Sequence, residues 1–271
     1  MCPYLCEFTP SLISEYPKQI EFSYDRRCNI RCIFCRDNAD EEEKRFNIEK
    51  AQRVEQNFDK IFSTVLQHAE IVELNSAGEL FASKQSIEIL KRIIEEYPHI
   101  RFKIISNGIL FSKEMIEKLN IKDKMYSVTI SMHAATKKTY NKLIEHGNFD
   151  AVLENVKYLS ELKKQGLLSA LQLNFVVTGY NYKEMKKFVK LAKELDARAF
   201  FINYHRQISS DKLQNELDIS LPKHPKYNQL IKLLHNSIFK DEHCCINSYL
   251  LNLKPVKKNI KIKIKEWLKI H

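Results

Sequence analysis

Glycine is scarce in this sequence. Only five of the 271 residues are glycine, whereas an average composition would supply about nineteen. This scarcity excludes collagen-like repeats, glycine-rich linkers and a G-x-G-x-x-G phosphate loop. A chain with so few glycines is expected to keep several of them where backbone geometry demands one.

Long apolar runs are also missing. No stretch approaches the roughly 20 apolar residues of a membrane span, and the first residues, Met1 to Cys6, lack the basic and apolar regions of a signal peptide. We therefore expect a cytoplasmic protein without a membrane span. Seven cysteines in a reducing compartment indicate metal or catalytic chemistry rather than a disulfide framework.

The net charge of +10 is concentrated at one end of the sequence. Residues 254–271 contain seven lysines and one glutamate, so they account for more than half of the excess. Such a tail is typical of a solvated segment or an adaptable contact surface, and we expect no nucleic-acid partner. Within it, isoleucine alternates with lysine over residues 260–265, which fits either an edge strand or a disordered end.

Short apolar runs alternate with amphipathic helical patterns along most of the chain. Six such β-α repeats imply parallel strands in a doubly wound sheet or in a complete or partial barrel. Either architecture places its chemistry at the carboxyl ends of the strands. From about residue 207 the alternation stops, and only 224–239 has a helical pattern. The predicted strands are 19–24, 71–74, 101–106, 126–131, 171–177 and 197–203, and the predicted helices are 48–66, 85–97, 113–119, 136–143, 149–165 and 182–195.

Three cysteines follow the first predicted strand. Cys28, Cys32 and Cys35 have C-x3-C-x2-C spacing, so one loop can bring three thiolates to a single metal centre and leave one position of a cubane cluster without a protein ligand. Structural zinc sites normally close all four positions, and the only cysteines further along are the adjacent Cys244 and Cys245. A zinc knot or three incidental thiols remains the alternative.

These cysteines, with Phe34 immediately before the third, resemble the signature of the radical S-adenosylmethionine (radical SAM) enzymes. The resemblance covers residues 19–203 and extends to the SPASM/twitch-related branch, without a complete auxiliary-cluster domain. It implies an α/β fold, a partial (β/α)6 TIM-like barrel with parallel strands and a short helical C-terminal extension. It also implies a [4Fe-4S] cluster ligated by Cys28, Cys32 and Cys35, whose unique iron binds S-adenosyl-L-methionine. The domains would be an N-terminal extension (1–18), the core barrel (19–206), a C-terminal extension (207–253) and a basic tail (254–271).

The resemblance also assigns residues to the bound S-adenosylmethionine. Gly78 and Glu79 are similar to the family's Gly-Gly-Glu segment, with Ala77 in place of the first glycine, and would contact the methionine ammonium group. Asn107 lies in a Ser-Asn-Gly turn that resembles the family's Thr-Asn-Gly turn. An ordinary β-α turn is the alternative at Glu79, and a simple Asn-Gly turn is the alternative at Asn107. The full implied cofactor-binding set is Phe34, Gly78, Glu79, Asn107, Ser131, Asn174 and Phe201.

Within this set, Ser131 matches the serine that commonly contacts the cofactor ribose. His133 stands where the family's Ser-x-Asp-Ala motif has aspartate, and it is the only catalytic candidate. It could face the substrate, donate a proton or cap the next helix. Asn174 is either a cofactor contact or a core amide with a partner, and Phe201 would flank the adenine.

The family mechanism implies that an external one-electron reductant, such as flavodoxin or ferredoxin, drives reductive cleavage of S-adenosylmethionine. The resulting 5′-deoxyadenosyl radical would abstract hydrogen from a peptide, a sugar-related intermediate or a small metabolite. Two alternatives stay open: a non-catalytic metal-binding module, and a degenerate scaffold that binds the cofactor without turnover. Cys2, Cys6 and one of Cys244 or Cys245 could hold an auxiliary cluster, or all four could be free thiols.

Overall fold

The computed structural model describes residues 16–23, 25–35, 57–60, 63–74, 78–204 and 211–256. Several predicted features lie outside these ranges: Cys2 and Cys6, most of the first predicted helix, Ala77, and the alternating isoleucines and lysines of the tail.

Seven strands form one parallel sheet in the order β1-β3-β4-β5-β7-β8-β9, and two short strands, β2 and β6, form a separate antiparallel pair. In the described residues β1 and β9 are the two edges of the large sheet, so the barrel is not closed. The strands are β1 Gln19–Phe22, β2 Arg31–Cys32, β3 Ile71–Leu74, β4 Arg101–Ser106, β5 Met125–Ser131, β6 Ile144–Glu145, β7 Ala170–Val177, β8 Arg198–Asn203 and β9 Cys244–Ile246.

Four helices begin at a Ser, Thr or Asn residue, side chains that commonly cap a helix N-terminus by accepting a hydrogen bond. Ser83, Ser112, Thr136 and Asn148 each accept a hydrogen bond from a backbone N–H of the first turn. The helices are α1 Lys84–Glu96, α2 Lys113–Lys118, α3 Lys137–Leu143, α4 Phe149–Lys164, α5 Met185–Glu194, α6 Asp211–Leu217, α7 Tyr227–Leu234 and α8 Ser248–Leu251, with 3-10 turns at Leu66–His68, Leu80–Ala82, Tyr182–Glu184 and Ser237–Lys240.

The central strands bury only one of their two faces. Along β4, β5 and β7, fully buried residues alternate with residues that are half-buried or exposed. In a doubly wound sheet, helices cover both faces of the central strands, and these strands are therefore apolar at nearly every position. The alternation therefore identifies a partial barrel: helices pack on the outer face, and the inner face carries polar side chains such as Lys103, Thr129 and Gln172.

The six predicted strands of the barrel are all present, within two residues of the predicted bounds. Several elements were not predicted. The predicted C-terminal extension contributes β9, a seventh parallel strand beside β8, and it contains α6 in a segment that the sequence pattern marks only as polar. The β2–β6 pair was also missed. Among the helices that the structure describes, none has the length and apolar character needed to cross a bilayer.

Candidate active site

The cysteine loop is fixed to a distant part of the chain by the β2–β6 pair. Cys32 is paired with Ile144, and the Ile33 N–H donates to the Leu143 carbonyl at 3.0 Å. The loop then turns, because the Cys35 N–H donates to the Cys32 carbonyl at 3.0 Å. Cys28 is exposed, whereas Cys32 and Cys35 are half-buried. All three are free cysteines at the mouth of the barrel.

The three thiols act on one another electrostatically. Burial, together with smaller effects of the neighbouring Cys35 and Cys28, raises the pKa of Cys32 to about 12. Burial also raises the pKa of Cys28, and Glu79 and Cys35 add to that increase. Negative thiolates that repel each other in a shared space are stabilised by a positively charged metal centre. The donor set therefore fits an iron–sulfur cluster.

A single metal ion is a different case. Within the described ranges, no three His, Cys, Asp or Glu side chains are grouped closely enough to hold one. A four-iron cluster separates its cysteine ligands more widely than one ion does, so this observation concerns single-ion sites.

Gly78 allows two loops to dock against each other. Its N–H donates to the Asp25 carbonyl at 2.8 Å, and the Glu79 N–H donates to the Arg27 carbonyl at 2.7 Å. A Cβ atom at position 78 would lie 2.1 Å from the Arg27 carbonyl oxygen, which no side chain tolerates. Glycine is therefore required where the turn after β3 meets the segment that leads into Cys28.

Glu79 is 1% exposed and its carboxylate joins the turns that follow β3 and β4. Oε1 accepts from the Ser106 hydroxyl at 2.8 Å, and Oε2 accepts from the Asn107 N–H at 2.6 Å. Burial raises the pKa of Glu79, while the hydrogen bonds from Asn107, Ser106 and Phe81 act in the opposite direction. The structure thus shows a carboxylate that positions two loops; contact with the methionine ammonium group stays a prediction.

Asn107 connects the turn after β4 to the cysteine loop. Its side-chain amide donates to Asn29 Oδ1 at 2.9 Å and lies 3.8 Å from Cys28 Sγ, a distance suited to an N–H···S hydrogen bond. The adjacent Gly108 has a φ of +83°, a conformation that favours glycine. Asn107 is therefore next to the predicted first cluster ligand as well as at the barrel mouth.

Ser131 and Asn174 lie side by side on the inner face of the barrel. They are paired across β5 and β7, and both are half-buried. Asn174 Oδ1 accepts from Gln172 Nε2 at 2.9 Å. The structure therefore brings together these two predicted cofactor contacts, and it leaves the Ser131 hydroxyl on the same partly open face.

His133 is held rigidly just beyond β5. It has a φ of +58°, is 7% exposed, and its Nδ1 accepts from the Val176 N–H at 3.1 Å. Burial lowers the pKa of this imidazole to about 3, so it is neutral near pH 7 with its proton on Nε2. Phe34 packs edge-on against the ring at 5.0 Å, which places Phe34 and His133 together. A neutral imidazole in this state cannot donate a proton as an acid, so the proton-donor alternative is not supported.

Asn181 organises the turn after β7. It is fully buried; its Oδ1 accepts from the Thr178 N–H and hydroxyl at 2.7 and 2.9 Å. Its amide donates to the carbonyls of His133 and Val176 at 2.9 and 2.8 Å. A single side chain thus fixes the backbone of His133 and that of Val176, whose N–H donates to the His133 ring.

Phe201 lies away from the rest of the predicted site. It is 0% exposed and packs against Phe175, Phe188 and Phe239, on the face of β8 that is covered by helices. An adenine contact would need the opposite face, which carries Phe200 and Ile202. Phe201 is therefore left out of the cofactor site proposed below.

An ion pair between a buried aspartate and an exposed arginine supports the cysteine loop and was missed in the sequence. Asp25 is 4% exposed and is bound by the Arg27 guanidinium at 2.9 Å and by the Ser83 hydroxyl. Burial opposes ionisation, but these hydrogen bonds outweigh it and lower the pKa of Asp25. The only signal in the sequence is an acidic residue directly after an apolar strand, which is common in loops.

Cys244 and Cys245 occupy successive positions of β9. Successive side chains of a strand point to opposite faces, so the two thiols diverge and do not bind one group together. Burial, together with smaller effects of Cys245 and Asp241, raises the pKa of Cys244 to about 12. Participation in an auxiliary cluster with Cys2 or Cys6 stays a prediction, because those residues lie outside the described ranges.

The chain is similar in sequence to several curated proteins. The chain is 27% identical over 161 residues to the FeMo cofactor biosynthesis protein NifB of Methanocaldococcus infernus, covering 56% of this chain and 52% of that protein. It is 28% identical over 172 residues to a probable GTP 3',8-cyclase of Saccharolobus islandicus, covering 62% of this chain and 50% of that protein. The chain therefore spans about half the length of these curated relatives.

Solved structures share the fold. An anSMEcpe structure with bound AdoMet has a TM-score of 0.50 at 18% identity and covers 80% of this chain and 58% of its own. A queuine lyase from Clostridium spiroforme bound to SAM and queuine has a TM-score of 0.50 at 17% identity and covers 87% of this chain and 93% of its own. At these identities the likeness concerns the fold, which is the partial barrel described above.

The family model of the radical SAM superfamily matches residues 23–192, well over half of the chain. The matched segment includes Cys28, Cys32 and Cys35 and the turns that contain Glu79, Asn107 and Ser131. Proteins of this family use a [4Fe-4S] cluster and S-adenosylmethionine and require an external reductant, so these expectations are confirmed at the level of the family. The chain belongs to the radical SAM superfamily.

Proposed function

We propose that this chain is an active radical SAM enzyme that binds a [4Fe-4S] cluster through Cys28, Cys32 and Cys35. The observation that carries the proposal is the mutual placement of the three cysteines with the turn at Gly78 and Glu79 and the turn at Asn107. The family model supports the class of chemistry. When bound, the cluster supplies the electron that cleaves the sulfonium C–S bond of S-adenosylmethionine and yields a 5′-deoxyadenosyl radical.

The chain's own residues prepare the site for this chemistry. The docked turns of Gly78 and Glu79 and the Asn107 amide hold the cysteine loop in one position. Ser131 and Asn174, on the partly open inner face, provide a hydroxyl and an amide that suit the cofactor ribose. The apolar ring of Phe34, packed edge-on against His133, covers part of the space beside the cysteines and helps to exclude water from the reacting atoms.

His133 fits a role as a hydrogen-bond donor. Its Nδ1 is occupied by the Val176 N–H, so only Nε2–H remains to face cofactor or substrate. The substrate class stays open among peptides, sugar-related intermediates and small metabolites, and flavodoxin or ferredoxin is the proposed electron donor. Free thiols such as Cys244 and a reducible cluster fit a cytoplasmic location.

The degenerate scaffold is the second candidate, favoured by the replacement of aspartate with His133. Anaerobic reconstitution followed by reduction in the presence of S-adenosylmethionine separates the two. An active enzyme binds about four irons per chain and forms 5′-deoxyadenosine. An intact cluster without 5′-deoxyadenosine would favour the scaffold, and zinc in place of iron would favour the metal-binding module.

Replacement of Cys28, Cys32 and Cys35 by alanine tests the ligand assignment. We expect complete loss of bound iron, because three thiolates are the only protein ligands in the proposal. The matched control replaces Cys244 and Cys245 by alanine, and we expect it to keep the iron. Iron retained by the triple variant would place the cluster elsewhere in the chain.

A further inference from the structure

Tyr140 is buried against the cysteine loop without a hydrogen-bond partner for its hydroxyl. It is 0% exposed, and its hydroxyl oxygen is one of the few buried polar side-chain atoms in the described ranges that lack a partner. An unsatisfied buried hydroxyl destabilises a fold by about 1–3 kcal/mol. A buried hydroxyl of this kind is expected to form a hydrogen bond with a ligand or another partner.

The backbone fixes Tyr140 beside Cys32. Tyr140 lies in α3, and its carbonyl accepts from the N–H of Ile144, the residue paired with Cys32. Its ring packs edge-on against Phe149 at 5.5 Å. The backbone of Tyr140 is thus bonded to the strand that clamps the cysteine loop, two steps along the hydrogen-bond network from Cys32.

A glycine makes room for this ring. A Cβ atom at Gly147 would lie 2.5 Å from Tyr140 Cε1 and 2.9 Å from Ile144 Cγ2. Gly147 is absent from the residues with positive φ, so its lack of a side chain matters for space and not for backbone conformation. Gly147, one of the chain's five glycines, therefore leaves the space that the phenol ring occupies.

The charged neighbours of the phenol are the cluster cysteines. Burial raises the pKa of Tyr140, and the thiolates of Cys32 and Cys28 raise it further. A tyrosine hydroxyl is protonated at neutral pH and can donate one hydrogen bond, and these interactions show that the sulfurs of Cys32 and Cys28 lie near it.

We propose that the Tyr140 hydroxyl donates a hydrogen bond to a sulfur of the cluster unit, a cysteine sulfur or a cluster sulfide, and thereby raises the reduction potential of the cluster. Reduction adds one electron to the cluster, so its sulfurs become more negative. A hydrogen bond to them is then stronger in the reduced state than in the oxidised state. Hydrogen bonds to the sulfurs are among the features that set the potentials of iron–sulfur clusters. The inference rests on the proposed cysteine ligands.

The test is a redox titration of the reconstituted protein, followed by electron paramagnetic resonance of the reduced cluster. Tyr140→Phe removes only the hydroxyl. We expect the same iron and sulfide content as in the wild type and a reduction equilibrium about tenfold less favourable, which is about 59 mV for a one-electron couple. The control is Tyr227→Phe, which removes a buried hydroxyl that donates to the Lys254 carbonyl at 2.9 Å; its potential should match the wild type.

A second variant keeps the hydroxyl at position 140 but changes its acidity. A fluorinated tyrosine at position 140 has a more acidic hydroxyl and should make reduction more favourable than in the wild type, the opposite direction from Tyr140→Phe. Unchanged potentials in both variants, at full iron content, would overturn the role of Tyr140. Absence of iron from the wild-type protein would instead overturn the proposed cluster site. If Tyr140→Phe loses the cluster, the fluorinated variant alone decides the inference by the sign of its shift.

Discussion

The two sides of the barrel mouth are built with different chemistry. On the side of β1, β3 and β4, the loops are tied to two buried carboxylates, Asp25 and Glu79, which are 4% and 1% exposed. On the side of β5 and β7, the turns are tied to the uncharged Asn181 and His133, which are 0% and 7% exposed. A buried carboxylate is stable only while its donors stay in place. The buried groups on the cysteine side are therefore ionisable carboxyls, whereas those on the opposite side are neutral, and the carboxylate of Glu184, which accepts from the Ala135 N–H at 2.8 Å and the Thr139 hydroxyl at 2.6 Å, is only half-buried.

The largest effect is expected where the cysteine side docks most tightly. Gly78→Ala forces a Cβ atom against the Arg27 carbonyl, so the loop before Cys28 must move. We expect a loss of about 3 kcal/mol in the free energy of unfolding and little bound iron after reconstitution. Chemical denaturation and iron analysis measure both quantities.

Gly166→Ala is the matched control for that prediction. Gly166 has a φ of +76° but open space around its Cα, so alanine should cost only about 1 kcal/mol and leave the iron content unchanged. Equal iron in the two variants would show that docking at Gly78 does not shape the cysteine loop.

An intermediate effect is expected from the charge of Asp25. Because the folded state lowers the pKa of this carboxyl, its ionised form stabilises the fold above the ordinary pKa near 3.8, and that contribution disappears as pH falls through the folded-state value. Asp25→Asn should therefore reduce the stability of the cluster-free protein by about 2 kcal/mol at pH 7. Denaturation curves at several pH values should show the difference from wild type shrinking in acid. A difference that is constant down to pH 2 would contradict the prediction.

The smallest pH effect is expected at His133. Burial keeps the pKa of His133 at about 3, so this residue does not change charge between pH 5.5 and 8. His133→Gln, which keeps a polar side chain, should alter the rate of 5′-deoxyadenosine formation without changing the shape of its pH profile in that range. Loss of a titration step in the variant would show that His133 ionises and that the two sides are less different than the structure indicates.

Local patterns in the sequence were sufficient for most of the barrel. Short apolar runs between amphipathic helical patterns identified the six strands from β1 to β8 that belong to the barrel, and the spacing of Cys28, Cys32 and Cys35 identified the candidate cluster loop. Both signals lie within a few consecutive residues. The short strands β2, β6 and β9 have no such signal, because each exists only through pairing with a distant strand.

The side-chain roles were harder to predict for the same reason. The run Ala199–Ile202 is apolar at every position, so alternation does not indicate which face carries Phe201, and the structure places it among the helices. The partners of Glu79 come from the turn after β4, and those of Asn181 include His133. Neither set follows from spacing along the chain, since both depend on how neighbouring strands align.

The pairing of Cys32 with Ile144 also has a consequence for biogenesis. The cysteine loop is synthesised early, but the strand that clamps it emerges about 110 residues later, after four of the barrel strands. Contacts between such distant segments form late in folding. During translation the cysteines are thus synthesised before the strand that holds them, so the complete cysteine site forms only after the chain has been made as far as Glu145.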